Sequence, residues 1–189
     1  IYDELEGKEA VTWSYLLHTV ELPMEMKELP NEVQVTGKNK AGGVSVAHLF
    51  SSAKTEQAIA DTFFCAPTNW KNVTNAQGKA LKYPNHWHFS STTVPCKVAR
   101  FLTVMDTHGN NRPDMKVVRN GNTVQVGDWV INCNLTEKGK AAITVTNKSE
   151  KVSLNYDAGK KEGATIVTDQ IKGKQISKVL TDYLPDFEI

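Results

Sequence analysis

Apolar and polar residues alternate with a period of two along most of this chain, and the clearest case is Asn85–His108, NHWHFSSTTVPCKVARFLTVMDTH. This stretch predicts two strands joined by a short turn, a hairpin around which the rest of the chain is built. Successive side chains of a strand point to opposite faces, so Trp87 and Phe89 share one face of the first strand and His86, His88 and Ser90 the other. In the second strand Val98, Arg100, Leu102 and Val104 oppose Ala99, Phe101, Thr103 and Met105. Both faces of that strand are largely apolar, which places it in the middle of a sheet with a layer on each side.

The same period recurs on either side. Val11–Thr19 sets Val11, Trp13, Tyr15 and Leu17 against Thr12, Ser14, Leu16 and His18. Leu22–Lys27 is short and follows closely on the first strand beside Pro23, which suits a sheet edge. Glu32–Thr36 and Val44–Ser51 flank the turn-forming run GKNKAGG. Thr55–Phe64 fits a helical turn or a strand, and its β-branched and aromatic ending favours a strand over Ala58–Phe64. Ala66–Tyr83 is a long polar loop. Beyond the hairpin, Met115–Asn120 and Asn122–Val126 surround a tight turn at Asn120-Gly121. Trp129–Asn134, Ala141–Thr146, Val152–Tyr156 and Ala164–Thr168 continue the series. In the tail, Ile176, Val179, Leu180 and Tyr183 have helical spacing up to Pro185, so a helix or a last strand fits. Ten to thirteen short strands with almost no amphipathic helix predict an all-β fold: a two-layer antiparallel β-sandwich with long connecting loops.

Length and charge narrow the function classes. The 189 residues make one domain, 1–189, large enough for a sizeable core. A net charge of +1 offers no footprint for nucleic acid or an anionic membrane surface. The apolar runs are too short to span a bilayer as helices. The chain opens on Ile1 rather than Met, and the expectation is a mature or excised segment. Cys65, Cys96 and Cys133 are far apart and lack metal-ligand spacing, so packed thiols are expected ahead of one disulfide plus a free thiol. Asn72, Asn134 and Asn147 each begin an N-glycosylation acceptor triplet, which matters only in a eukaryotic secretory setting.

Candidate chemistry is sparse. There is no GxSxG, no Gly-rich nucleotide loop and no HExxH, and no cofactor or metal is assigned. His86 and His88 share a strand face and would meet a metal only with help from His48 or Asp106, so ordinary hydrogen-bonding histidines are favoured. Asp106–Asp114 is rich in oxygen ligands but lacks EF-hand spacing, and an Asx-rich turn is favoured over a calcium loop. His18, at the end of an apolar strand, is read as structural rather than as a general base. Aromatic planes stack on sugar rings, which nominates Trp70, Trp87, Trp129, Tyr83 and Tyr156. Trp87 and Trp129 sit within strands and are expected in the core, leaving Trp70 in the polar loop as the best glycan contact, with Tyr83, His86 and His88 beside it in the candidate set.

The HWHF strand, the turn and the ARFLTVM strand, together with the opening DELEGKEAVTWSYLLHT, resemble the carboxy-terminal β-region of heparinase II/III-like polysaccharide lyases. The resemblance covers roughly Asp3 to Gly139 and rests on the order and character of strands. It implies a parent enzyme with a helical toroid followed by β-layers, cleaving uronic-acid-containing polysaccharides by β-elimination. The family's catalytic Tyr and its HxDxxSF-like strand have no match here, so no catalytic or metal residue is carried over. The resemblance therefore implies a non-catalytic carboxy-terminal β-domain, bracing the catalytic region of a bacterial, periplasmic or extracellular lyase. Its partners would be the rest of that chain and an acidic polysaccharide. A free-standing carbohydrate-binding module and a purely structural interaction domain are the two other classes.

Overall fold

The computed structural model describes residues 1–20, 22–61, 74–79, 86–159, 165–171 and 174–180, with backbone alone for the last two segments. Within these residues there is no helix, and fifteen strands follow one another: β1 Tyr2–Val11, β2 Ser14–Val20, β3 Met24–Leu29, β4 Glu32–Lys38, β5 Gly43–Ser51, β6 Thr55–Ala60, β7 His86–Thr93, β8 Cys96–Gly109, β9 Val117–Asn120, β10 Thr123–Val126, β11 Trp129–Cys133, β12 Ala142–Asn147, β13 Val152–Asp157, β14 Thr165–Ile171 and β15 Lys174–Leu180. All pairings are antiparallel and form three sheets, ordered β1-β8-β5-β4-β3, β2-β7-β6 and β15-β14-β13-β12-β11-β10-β9. The all-β antiparallel sandwich expected from the alternation is present, with one more sheet than two layers require.

The expected hairpin is not. β7 and β8 lie in different sheets and do not pair. β8 pairs with β1 (Tyr2↔Leu102 to Glu6↔Val98, then Val11↔Cys96), whereas β7 pairs with β2 (Ser14↔Thr92 to Val20↔His86). The amino-terminal stretch and the aromatic stretch therefore form one long two-stranded ribbon, folded over at Thr12–Trp13 and Val94–Pro95. Proline has no N–H to give a ladder, which suits Pro95 to the fold line. The ribbon is pinned there by Thr93 N–H on the Trp13 carbonyl (2.8 Å), Trp13 N–H on Thr93 Oγ1 (3.0 Å) and the Trp13 indole N–H on the Cys96 carbonyl (3.1 Å). A bulge between Glu6 and Val11 loosens the register just before the corner. Gly7 sits in it with Trp13 Cζ2 only 3.2 Å from where a Cβ would be, so a side chain there would displace the indole. β5 and β6 turn the same corner on the other side of β8 and β7. The small sheet β2-β7-β6 is thus the folded-back continuation of β1-β8-β5, the corner geometry by which strands switch sheets.

Several strand limits move accordingly. Val11–Thr19 is two strands meeting at the corner, and Tyr2–Ala10, which lies ahead of the alternating stretch and mostly within the DELEGKEAVTWSYLLHT segment, is most of β1. The strand expected at Ala58–Phe64 occupies Thr55–Ala60, with Thr62–Phe64 outside the described residues. β3 is an edge, as its position suggested. Lys174–Leu180 is a strand, not a helix. The turn near Asn120 is shifted by one residue: Asn120 pairs with Thr123 across a loop of Gly121 and Asn122, and the positive φ (59°) falls on Gly121. A type II′ hairpin asks for glycine at that first loop position.

β8 has a layer on each face, as its two apolar faces predicted. Ala99 and Phe101 face the small sheet in a core with Met24, Val35, Ala47, Leu49, Phe89 and Cys96. Leu102, the next residue along, faces the seven-stranded sheet in a second core with Phe50, Val124, Val126, Cys133 and Leu135. Cys96 and Cys133 are free buried thiols on opposite sides of the middle sheet, while Cys65 lies outside the described residues. Burial pushes the Cys133 thiol up to about 11.

Arg100 is the exception among these core positions. It is 1% exposed, yet its guanidinium is satisfied. Nε donates to Glu4 Oε2 at 2.6 Å, and the Nη atoms donate to the carbonyls of Thr136, Lys138 (3.3 Å) and Gly139 (2.6 Å). The loop after β11 is shaped to meet it. Asn134 donates to the carbonyls of Lys138 and Lys140 and accepts from Thr136, and Tyr2 Oη donates to the Asn134 carbonyl at 2.7 Å. Burial outweighs the opposing pull of Arg100 and raises the Tyr2 phenol to about 12. The amide of Asn147 is similarly committed to Ser149 and Glu150, so both described acceptor-triplet asparagines hold turns.

Candidate functional site

Only some of the sequence candidates fall on described residues. Trp70 and Tyr83 lie outside the described residues, as does Asn72, and within the Ala66–Tyr83 loop only residues 74–79 are described. There Asn75 Oδ1 accepts the N–H groups of Gln77 and Lys79 to close a small turn. His86 opens β7 with its backbone opposite Val20, and its side chain is outside the described residues.

His88 pairs directly with His18 across β2 and β7, their ring centroids 6.0 Å apart. Trp87 and Phe89 both pack on the core between the sheets, and His88 lies between them on the strand with its ring against that of His18. His48 and Asp106 belong to the opposite face of the middle sheet, on the side of the seven-stranded layer. The middle sheet and the core above it separate them from His88, which rules out the metal set that would have joined His88 to His48 or Asp106. Among the described residues no group of three His, Cys, Asp or Glu side chains is placed to hold a metal ion. The outward face of the small sheet also carries the short side chains of Ser14, Ser90, Thr92, Ala58 and Ala60 around Leu16, which is 52% exposed, with the exposed Glu56 on its β6 edge. Ser14 and Thr92 share a hydroxyl hydrogen bond of 2.8 Å across it.

Trp87 and Trp129 pack against the two cores, as expected. Tyr156 lines an open groove of about 630 Å³ with Tyr2, Ile143 and Leu154, between the start of β1 and β12–β13.

The oxygen-rich segment Asp106–Asp114, which runs from the end of β8 into the loop beyond it, closes on itself. Asp106 is buried, with its carboxylate accepting both Nη groups of Arg112 and the Met115 N–H (2.6 Å). His108 bridges the Gly109 carbonyl and Asp114 Oδ1. The Arg112 hydrogen bond, against an opposing contribution from burial, holds the Asp106 carboxyl below the usual range. A depressed carboxylate stabilises the fold above its unfolded pKa of about 3.9, and that contribution disappears as pH falls through the folded value. Asp106→Asn should therefore be clearly less stable than the parent at pH 7, with the gap narrowing below about pH 4. Urea melts at the two pH values check this, and a gap that stayed constant would remove the ion pair from the explanation.

One concave site was not anticipated. A cleft of about 330 Å³ opens where all three sheets meet. The β3–β4 turn (Glu28–Val33), the end of β5 and the corner into β6 (Ser51, Ala53, Lys54, Thr55, Gln57), Ser91 of β7 and Arg119 of β9 line it. These residues are scattered over the sequence with no local signature. The Glu32 carboxylate is already engaged: His48 Nδ1 is 2.6 Å and Gln34 Nε2 2.8 Å from Oε1. Gln57 Nε2 donates to Thr55 Oγ1 (2.7 Å) and Ser91 Oγ (3.4 Å). The Arg119 guanidinium lies 5.7 Å over the Phe50 ring and is tethered to the carbonyls of Gly121 (2.9 Å) and Asn31 (3.5 Å).

No protein-family model matches the chain, and no curated protein does.

Proposed function

We propose that this chain is the non-catalytic β-sandwich region of a heparinase II/III-like polysaccharide lyase, bracing the catalytic part and bordering its glycan groove. The observation that carries the reading is the outward face of the small sheet. Leu16 stands largely exposed there beside Ser14, Ser90, Thr92 and Ala58, with the charged Glu56 only at the β6 edge, a surface suited to a further packed layer. The strands that carry the resemblance, β1, β2, β7 and β8, are joined in one bent ribbon, with β1 and β2 at the edges of their sheets. Trp13, Trp87 and Trp129 pack on cores instead of forming a sugar platform. A periplasmic or extracellular setting belongs to the same reading.

The test is β-elimination activity on heparan, chondroitin and alginate, followed by absorbance of the unsaturated uronate product. The full protein encoded by the gene is expected to release product and this chain alone to release none. Leu16→Glu should leave this chain folded while lowering the melting temperature of the full protein. Product from this chain alone, or none from either, overturns the proposal.

A further inference from the structure

We infer that His18 and His88 together bind one divalent transition-metal ion, copper(II) most tightly, on the outward face of the small sheet. The two residues are direct cross-strand partners on β2 and β7, and their ring centroids are 6.0 Å apart with the ring planes tilted by 36°. Tyr15 and Leu17 on β2, and Trp87 and Phe89 on β7, turn inward to the core, so alternation sends both histidines outward. His18 is exposed and His88 half-buried, which leaves an ion a path from solvent. Side chains directly opposed on antiparallel strands start from Cβ atoms about 5 Å apart. Two imidazoles on one ion, each nitrogen about 2.0–2.1 Å from it, bring their centroids to roughly 5 Å. The observed spacing lies about 1 Å from that arrangement, and a side-chain rotation of the exposed His18 closes the difference.

Ligand chemistry selects the class of ion. Imidazole nitrogens suit copper, nickel and zinc, with copper(II) held most tightly, whereas calcium and magnesium ask for oxygen. A ligating imidazole uses one nitrogen and gives the other to a hydrogen bond, so the site needs only one nitrogen of each ring. Water fills the remaining positions. On the other side of His88 the row ends at Ala60, too short to crowd an ion, and Glu56 stands two rows away on the same face, opposite Thr92. Two other described imidazoles are committed elsewhere: His48 is buried with Nδ1 on Glu32, and His108 spans the Gly109 carbonyl and Asp114. A bound ion would tie β2 to β7 across the folded-back arm of the ribbon. The site requires those two strands alone, so it stands or falls independently of the lyase reading. It shares its face with Leu16, and a layer docked there would replace part of the water around the ion.

The test is a titration of this chain with copper(II) chloride, with magnesium chloride as the control. Paramagnetic loss of amide signals locates the ion, and electron paramagnetic resonance reports the nitrogens bound to it. Copper is expected to erase first the signals of residues 17–19 and 87–89, and the resonance to show at least two coordinated nitrogens. His18→Gln and His88→Gln should each weaken binding by about a hundredfold, the low end of what is gained when two contacts are joined on one scaffold. Without metal, both variants should melt close to the parent. The exposed His18 keeps the test valid if the His88 variant misfolds. Signals lost first at the amino terminus or around another histidine, copper binding unaltered by His18→Gln, a single coordinated nitrogen, or an equal response to magnesium overturns the assignment.

Discussion

Arg100→Met is expected to destabilise the fold by about 3–5 kcal/mol, the usual result of removing one partner from a buried ion pair. The side chain is 1% exposed and holds together three segments distant in sequence: β1 through Glu4, β8 itself, and the loop after β11 through the carbonyls of Thr136, Lys138 and Gly139. Methionine fills much of the volume but donates nothing, so three carbonyls and a carboxylate lose their donors together. Glu4 lies nearer the surface than Arg100 and can recover water, whereas the inward-facing carbonyls lose most. Arg100→Lys should fare little better, since one ammonium cannot reproduce the planar spread of guanidinium donors. Denaturant melts measure the loss, and hydrogen exchange should show residues 134–140 loosening first. A cost below about 1 kcal/mol would mean that the loop is held by Asn134 and Tyr2 without help from Arg100.

One residue further along β8, Phe101→Ala should cost about 3–5 kcal/mol by a different mechanism, the cavity left by a deleted aromatic ring. Phe101 is 1% exposed, points into the opposite core, and its ring centroid is 5.7 Å from that of Tyr15 across the two sheets. The neighbours that would have to collapse into the void, Ala47, Leu49, Ala99 and Phe89, are fixed in three paired strands, so relaxation is limited. The loss is read from the shift in denaturation midpoint at unchanged slope. A loss under about 1 kcal/mol would contradict a fully packed layer on that face of β8. Together the two substitutions probe both sides of the middle sheet from adjacent positions, one through polar satisfaction and one through packing.

The candidate chemistry was legible in part. Trp87 and Trp129 were expected in the core because they lie within alternating strands, and they pack there. The Asx-rich reading of Asp106–Asp114 agrees with a segment closed by contacts within nine residues of one another. Local contacts of that kind leave local traces. The cleft lined by Glu32, Lys54, Gln57, Ser91 and Arg119 left none, since its walls come from all three sheets. Arg100 was visible only as one charged residue on an apolar face, with partners 96 and 36–39 positions away.

The all-β character of the chain, most strand positions, the face on which each side chain falls and the burial of β8 on both sides are all written in the residue order. They follow from a period of two along a pleated backbone, which any strand carries whatever its neighbours are. Strand pairing is not written there and emerges only in three dimensions. The adjacent β7 and β8 separate into two sheets, and the stretch from Tyr2 to Val20 runs beside both, folded near Pro95 and the Gly7 bulge. The separation of His48 and Asp106 from His88, and the enclosure of Arg100 by carbonyls, emerge at the same level. Alternation specifies the face of a strand and says nothing of what lies beyond it. That is set by which long-range pairings bury the most apolar surface while leaving buried donors and acceptors with partners.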